Sequence, residues 1–193
     1  MILVLASASP RRAEILNTVG AVFVTAPTDA DERVPETLSP AEAVCEISRR
    51  KAAAALAARP GDDVLIVAAD TVVAADGEIL GKPRDAADAA RMLRRLSGST
   101  HEVYTGYTLA SHSNRYTDFQ KTEVDFRPLS EDEIDRYIRS GEPMDKAGAY
   151  GIQEKGALFV RGIRGDYFNV MGLPVCAVCA DAKRIFGVSL AVL

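Results

Sequence analysis

The chain has 193 residues, 48% hydrophobic and 26% charged, with a formal net charge of −4. Such a chain can bury a substantial core, which excludes disorder and predicts one domain over residues 1–193. The acidic balance and 6% aromatics argue against a general nucleic-acid binder or a protein of anionic membranes, since these need a broad basic face or stacking platforms. No apolar run approaches the roughly 20 residues that span a bilayer, and Met1–Ala6 lacks a charged leader, so the expected location is the cytoplasm.

Strand-like and helix-like stretches alternate, the pattern of an α/β fold built on a sheet with flanking helices. An apolar strand, Ile2–Ala6, leads into Ser7-Ala8-Ser9-Pro10-Arg11-Arg12. Ser9 reads as an N-cap and Pro10 as the first residue of a helix that stops at Gly20. The helix start favours negative charge, yet Arg11 and Arg12 occupy it, a conflict that a bound phosphate would resolve and that a solvated basic turn would also explain. A strand over Ala21–Ala26 and a polar, acidic loop over Thr28–Glu36 follow. Ser39-Pro40-Ala41-Glu42 is a capping box opening a helix that carries Arg49-Arg50-Lys51 and ends before Pro60-Gly61.

Val64–Ala75 is a nearly continuous apolar run, as in a strand covered on both faces, with Asp76-Gly77 turning it back into Glu78–Gly81. An amphipathic helix covers Asp85–Leu96, and strands over His101–Ala110 and Tyr116–Phe126 form a hairpin. Ser130-Glu131-Asp132-Glu133 caps a helix ending near Arg139. Glycine-rich loops then enclose a strand at Ala157–Val160, and Pro174 starts the last helix. Cys45, Cys176 and Cys179 cannot all pair with one another and are expected reduced; Cys176-Ala177-Val178-Cys179 reads as core packing among apolar neighbours.

Five further positions carry chemistry. Asp70 interrupts the apolar strand, and an uncompensated buried carboxylate costs several kcal/mol. It is either a strand-end aspartate held by backbone donors or a general base or metal ligand. Thr71 follows it on the other face of a regular strand. Lys82, in Gly81-Lys82-Pro83, sits on a constrained corner where it either neutralises phosphate or is an ordinary surface lysine; Lys51 in its helical run has the same two readings. Gln153 ends Asp145-Lys146-Ala147-Gly148-Ala149-Tyr150-Gly151-Ile152-Gln153. Its amide offers a donor and an acceptor, the complement of the O4 and N3–H edge of uracil or thymine, or else it is a plain loop residue. His101 reads as a packing residue.

Together, Ser7–Arg12, Lys51, Ala68-Ala69-Asp70-Thr71-Val72-Val73, Gly81-Lys82-Pro83, Ser99–Gly106, Asp145–Gln153 and Asn169–Pro174 resemble the Maf family of nucleoside triphosphate pyrophosphatases. Ala147–Gln153 resembles the dTTP/UTP branch rather than the 7-methyl-GTP branch, although Glu154-Lys155 stands where a glycine often follows. The resemblance implies hydrolysis between the α and β phosphates, Asp70 as proton acceptor, and Ser9, Arg11, Arg12, Lys51, Thr71, Lys82 and Gln153 as substrate-binding residues. It also implies a divalent cation, Mg²⁺ or Mn²⁺, for which Asp70, Glu32 and Glu123 are candidates, and is compatible with a homodimer. The implied fold has a mixed twisted sheet with two lobes around a cleft, similar to inosine triphosphate pyrophosphatases. A nucleotide-responsive regulator of septum formation, suggested by the family's older septum-inhibitor name, and a pyrophosphatase for other or modified nucleotides are the rival readings.

Overall fold

The computed structural model describes residues 1–35, 37–61 and 63–191. Its first strand, β1 (Ile2–Leu5), is buried over its last three residues because it pairs in parallel on both edges: with β2 (Phe23–Thr25) and with β3 (Val64–Ala75). Parallel strands covered on both faces need apolar side chains in consecutive positions, and the Val64–Ala69 run supplies them. β3 turns at Asp76-Gly77, both in the left-handed region, into the short antiparallel β4 (Glu78–Leu80). With β5 (Thr100–Ala110), β6 (Arg115–Phe126) and β7 (Val160–Arg164), these form a seven-stranded mixed sheet in the order β2-β1-β3-β5-β6-β7, β4 lying on β3.

The helices are α1 (Pro10–Thr18), α2 (Pro40–Ala57), α3 (Ala86–Leu96), α4 (Glu131–Arg139), α5 (Tyr167–Met171) and α6 (Val175–Phe186). Both anticipated capping boxes form: Ser39 with Glu42 on α2, and Ser130 with Glu133 on α4. No helix among the described residues is long and apolar enough to cross a membrane.

The chain divides into two compact units, each assembled from separate segments. The first comprises Met1–Asp70, Thr105–Gln120 and the chain from Gly172 onward. Its core gathers Val4, Ala6, Ala52, Ala55, Val64, Ile66, Ala68 and Ala110. Gly106 on β5 lets the α2 backbone come close: a Cβ there would fall 2.5–2.7 Å from backbone atoms of Val44 and Cys45, so only glycine permits this approach. A hydroxyl cluster, Ser48 to Thr108 and Thr108 to Thr117, each at 2.9 Å, and a Tyr107–Asp181 hydrogen bond of 2.6 Å add polar contacts to this unit.

The second unit comprises Thr71–Tyr104 and Lys121–Met171. Its core is richer in aromatics: Phe126, Tyr137, Tyr150 and Phe159 pack edge-to-face around α3 and α4 residues such as Leu93, Leu96 and Ile134. His101 joins them, buried, with its Nε2 2.9 Å from the Tyr150 hydroxyl and its ring edge-on to Phe126, as the packing reading expects.

Two local expectations need correction, and the expected N-cap of α1 forms without its side chain. The expected strand at Ala157–Val160 is instead a 3₁₀ turn over Lys155–Phe159 followed by β7. The turn exposes Leu158 and tucks Phe159 into the aromatic core, so apolar content there reports one anchoring ring, not an extended run. Ser9 is the N-cap of α1 in extended conformation, but its side chain makes no capping bond. The cysteines are free, yet Cys176 is exposed and Cys179 half-buried, because α6 buries Val175, Val178 and Ala182 instead.

Candidate functional site

In the first unit, α1 begins without any acidic residue in its first turn and with Pro10 at its first position. Arg12 does not point to solvent. It is 8% exposed, donating through Nε to the Gly172 carbonyl at 2.7 Å and through Nη1 to the Ser7 hydroxyl at 3.2 Å. Ser7 also accepts the Ser9 N–H at 3.2 Å, so one hydroxyl ties the strand-to-helix junction to the guanidinium. Burial lowers the Arg12 pKa, the carboxylates of Asp70 and Glu32 oppose that, and Arg11 reinforces it. Arg11 itself is half-buried in the first turn.

The basic run of α2 divides its labour. Arg49 and Arg50 both reach Glu46, and Arg50 also donates to the carbonyls of Asp31 and Arg33 at 3.3 and 2.7 Å, which holds the acidic loop against the helix. Lys51 is buried on α2, and its ammonium lies 2.7 Å from the Asp70 carboxylate and 2.8 Å from that of Glu32. Asp70 is therefore compensated by a cation, not by backbone donors alone. Its side chain is 14% exposed and that of Glu32 60%, so the pair of carboxylates has one sheltered and one open member.

The second unit presents Thr71, half-buried on β3, Lys82, exposed on its corner, and Gln153, half-buried in a loop. Gly148, in the left-handed region, fits where a Cβ would stand 2.8 Å from Val73 Cγ2, and its N–H donates to the Gly81 carbonyl at 3.0 Å. That bond fastens the segment leading to Gln153 beside the corner carrying Lys82. Glu123, the third carboxylate considered for a cation, pairs with Arg164 across the β6–β7 ladder at 2.6 Å. Asn169, fully buried, donates to the Val103 carbonyl and the Thr122 hydroxyl, a bracing role.

Thus Arg12, Lys51, Glu32 and Asp70 are brought into one electrostatic group with Arg11, while Thr71, Lys82 and Gln153 belong to the other unit. Sequence reasoning overlooked two partners of Arg12: the Ser7 hydroxyl and the Gly172 carbonyl. The missing acid in the first turn of α1 was the signal that Arg12 had to find its acceptors elsewhere.

The dTTP/UTP pyrophosphatase of Bacillus velezensis is 50% identical over 182 residues, covering 94% of this chain and 95% of its own. That of Agathobacter rectalis is 45% identical over 199 aligned positions, covering 95% and 97%. That of Symbiobacterium thermophilum is 49% identical over 173 residues, covering 90% and 88%. Among solved structures, the Staphylococcus aureus Ham1 protein is similar with a TM-score of 0.47 and 15% identity, covering 83% of this chain and 92% of its own. The family model described as Maf-like protein matches residues 2–185, nearly the whole chain, and with these relatives it shows that the chain belongs to the Maf family.

Proposed function

We propose that this protein hydrolyses dTTP and UTP at the α–β phosphoanhydride, yielding the nucleoside monophosphate and pyrophosphate. The observation that carries the chemistry is Lys51 held between Asp70 and Glu32 with buried Arg12 beside them. The relatives' activity and nearly full-length similarity support the substrate class.

In this reading Arg11, Arg12 and Lys51, with Lys82, bind the polyphosphate and neutralise charge that builds on the bridging oxygen; Ser9 contributes a polar contact beside them. Asp70 accepts the proton of the attacking water as its oxygen bonds to phosphorus, and pyrophosphate leaves with the electrons of the broken P–O bond. Lys51 aims the Asp70 carboxylate, and Arg12, anchored at Nε and Nη1, is oriented before substrate arrives. Thr71 and Gln153 contact the nucleoside, the Gln153 amide pairing with the O4 and N3–H edge.

A divalent cation is compatible with these residues. No group of three or more His, Cys, Asp or Glu able to hold an ion is found among the described residues. Magnesium-like ions, however, commonly take one or two protein carboxylates and complete their shell with substrate phosphates and water. Asp70 and Glu32 provide that pair of hard oxygen donors. Such an ion, Mg²⁺ or Mn²⁺, would supply charge neutralisation on the triphosphate.

The test is a nucleotide panel with products separated, run with Mg²⁺, with Mn²⁺ and with chelator. Multiple turnovers giving dTMP or UMP and pyrophosphate are expected. Release of inorganic phosphate, or one-to-one nucleotide binding without turnover, would refute the proposal.

A further inference from the structure

Gln153 lies in a six-residue loop, Gly151–Gly156, whose two ends meet. A Cβ on Gly156 would stand 2.5 Å from the Gly151 carbonyl oxygen and 2.9 Å from the Tyr137 hydroxyl. A Cβ on Gly151 would stand 2.7 Å from Lys146 Cε. The loop is thus pinched at a neck that admits only glycine at position 156, where the clash is with backbone.

Groups outside the loop close that neck. The Tyr137 hydroxyl, near the end of α4, accepts the Gly151 N–H at 3.1 Å and donates to the Glu142 carboxylate at 2.8 Å. The same carboxylate accepts the N–H groups of Lys155 and Gly156, each at 3.2 Å. Lys146 packs its stem on Gly151 and donates to the Glu142 carbonyl and the Asp145 carboxylate, each at 2.8 Å. Tyr137 and Lys146 are 5% and 7% exposed. Inside the loop, Ile152 packs against the aromatic core. One phenol and one carboxylate therefore grip three backbone N–H groups on both sides of Gln153.

We propose that Tyr137 and Glu142 are positioning residues for nucleobase selection: they hold the Gly151–Gly156 loop so that the Gln153 amide meets a pyrimidine edge in one fixed orientation. The inference rests on Gln153 reading the base. An amide can tell a keto–imino edge from an amino one only if its oxygen and nitrogen stay in place. In a loose loop, ordering the chain at each binding event would consume the discrimination. Neither residue touches substrate in this scheme, so their loss should spare the chemical step.

The experiment measures the ratio of kcat/KM for dTTP to that for CTP in wild type, Tyr137→Phe, Glu142→Gln, Gln153→Ala and the Tyr137→Phe/Gln153→Ala double variant, with melting temperatures alongside. Gln153→Ala is expected to lower the ratio about tenfold or more, as when a buried polar recognition group is removed. Tyr137→Phe and Glu142→Gln are each expected to lower it about three- to tenfold through a higher KM for dTTP, with kcat for dTTP nearly unchanged. The double variant is expected to match Gln153→Ala alone, because the clamp acts only through that amide. A merely structural role would lower stability and reduce activity on all nucleotides alike. If Gln153→Ala lowers the ratio while Tyr137→Phe and Glu142→Gln preserve it, or if the double effect is the product of the singles, the clamp is refuted and base reading stands. If Gln153→Ala leaves the ratio unchanged, base reading itself fails and the clamp's role falls with it. Should one clamp variant not fold, the other decides, since each removes a different hydrogen bond of the neck.

Discussion

Lys51→Met and Asp70→Asn should separate sharply, although they alter the two ends of one contact. In Lys51→Met the stem volume is kept and the ammonium removed, leaving the Asp70 and Glu32 oxygens, both within 2.8 Å of the lost nitrogen, to face each other with no cation between them. Removing one partner of a fully buried ion pair costs about 3–5 kcal/mol. Here the Lys51 and Asp70 side chains retain 11% and 14% exposure and Glu32 60%, so solvent relieves part of the penalty, and about 2–3 kcal/mol is expected. With an unfolding entropy of roughly 2.1 cal/mol/K per residue over 193 residues, that lowers Tm by about 5–7 °C. Asp70→Asn keeps an oxygen able to accept from Lys51, and Glu32 still balances the ammonium. Its cost is about 1 kcal/mol, or roughly 2–3 °C. Catalysis should show the opposite emphasis: Asp70→Asn loses the proton acceptor and kcat should drop about 10²- to 10⁴-fold in a fully folded protein. Calorimetry on both variants, with steady-state pyrophosphate release from dTTP, reads both quantities. Equal Tm losses would refute the electrostatic asymmetry, and near-wild-type turnover of Asp70→Asn would remove that residue from the mechanism.

Other perturbations test separate parts of the argument. Gly106→Ala should destabilise by about 1–3 kcal/mol, because its Cβ meets the α2 backbone at 2.5–2.7 Å, and activity should fall as Lys51 shifts; an unchanged Tm would contradict the close approach. His101 is held neutral by burial, its pKa lowered to about 4, below the unfolded value near 6.5. The unfolded chain therefore binds a proton first, and the stability present above pH 6.5 should be lost as pH falls toward 4, by as much as about 3 kcal/mol; His101→Gln should flatten that slope in pH-dependent melting, and an identical slope would refute the assignment. Glu32→Gln should raise the half-saturating concentration of Mg²⁺ or Mn²⁺ by about tenfold with kcat at saturation little changed, read by metal titration of turnover; an unchanged requirement would exclude Glu32 as a ligand.

Much of the fold was legible because its elements are strongly patterned. Val64–Ala75 is apolar enough to be a doubly covered strand and forms one over the expected residues, and two capping boxes mark their helix starts to the residue. Compensation of Asp70 was legible as a requirement, since the strand around it is apolar, but its partner was not. Lys51 and Arg50 are neighbours in a uniformly basic run, yet consecutive helical residues point about 100° apart, and one meets Asp70 while the other meets loop carbonyls. The Arg12–Gly172 bond joins residues 160 positions apart, a distance no local pattern reaches. Ala157–Val160 misled for a related reason: four apolar residues beside a glycine read as strand, whereas Gly156 is used by the loop neck, Phe159 is drawn inward and extended structure begins only at Val160.

The charges of the first unit also bear on how the proposed triphosphate substrate is met by an acidic chain. Arg11, Arg12 and Lys51 oppose Asp70 and Glu32, which leaves one net positive charge in the group while the whole chain carries −4. A nucleoside triphosphate brings roughly three to four negative charges near neutral pH. One surplus cation, or two with the proposed contribution of Lys82, does not balance that load, and the −4 background opposes it at distances within a Debye length. The two carboxylates are thus unhelpful to bare triphosphate but useful to a triphosphate that arrives with a divalent ion, since they attract the ion and repel the uncomplexed anion. Under the proposed function, selectivity for a metal-complexed nucleotide is expected from the same pairings that keep Lys51 buried, which would make ion requirement and folded stability properties of one charge group.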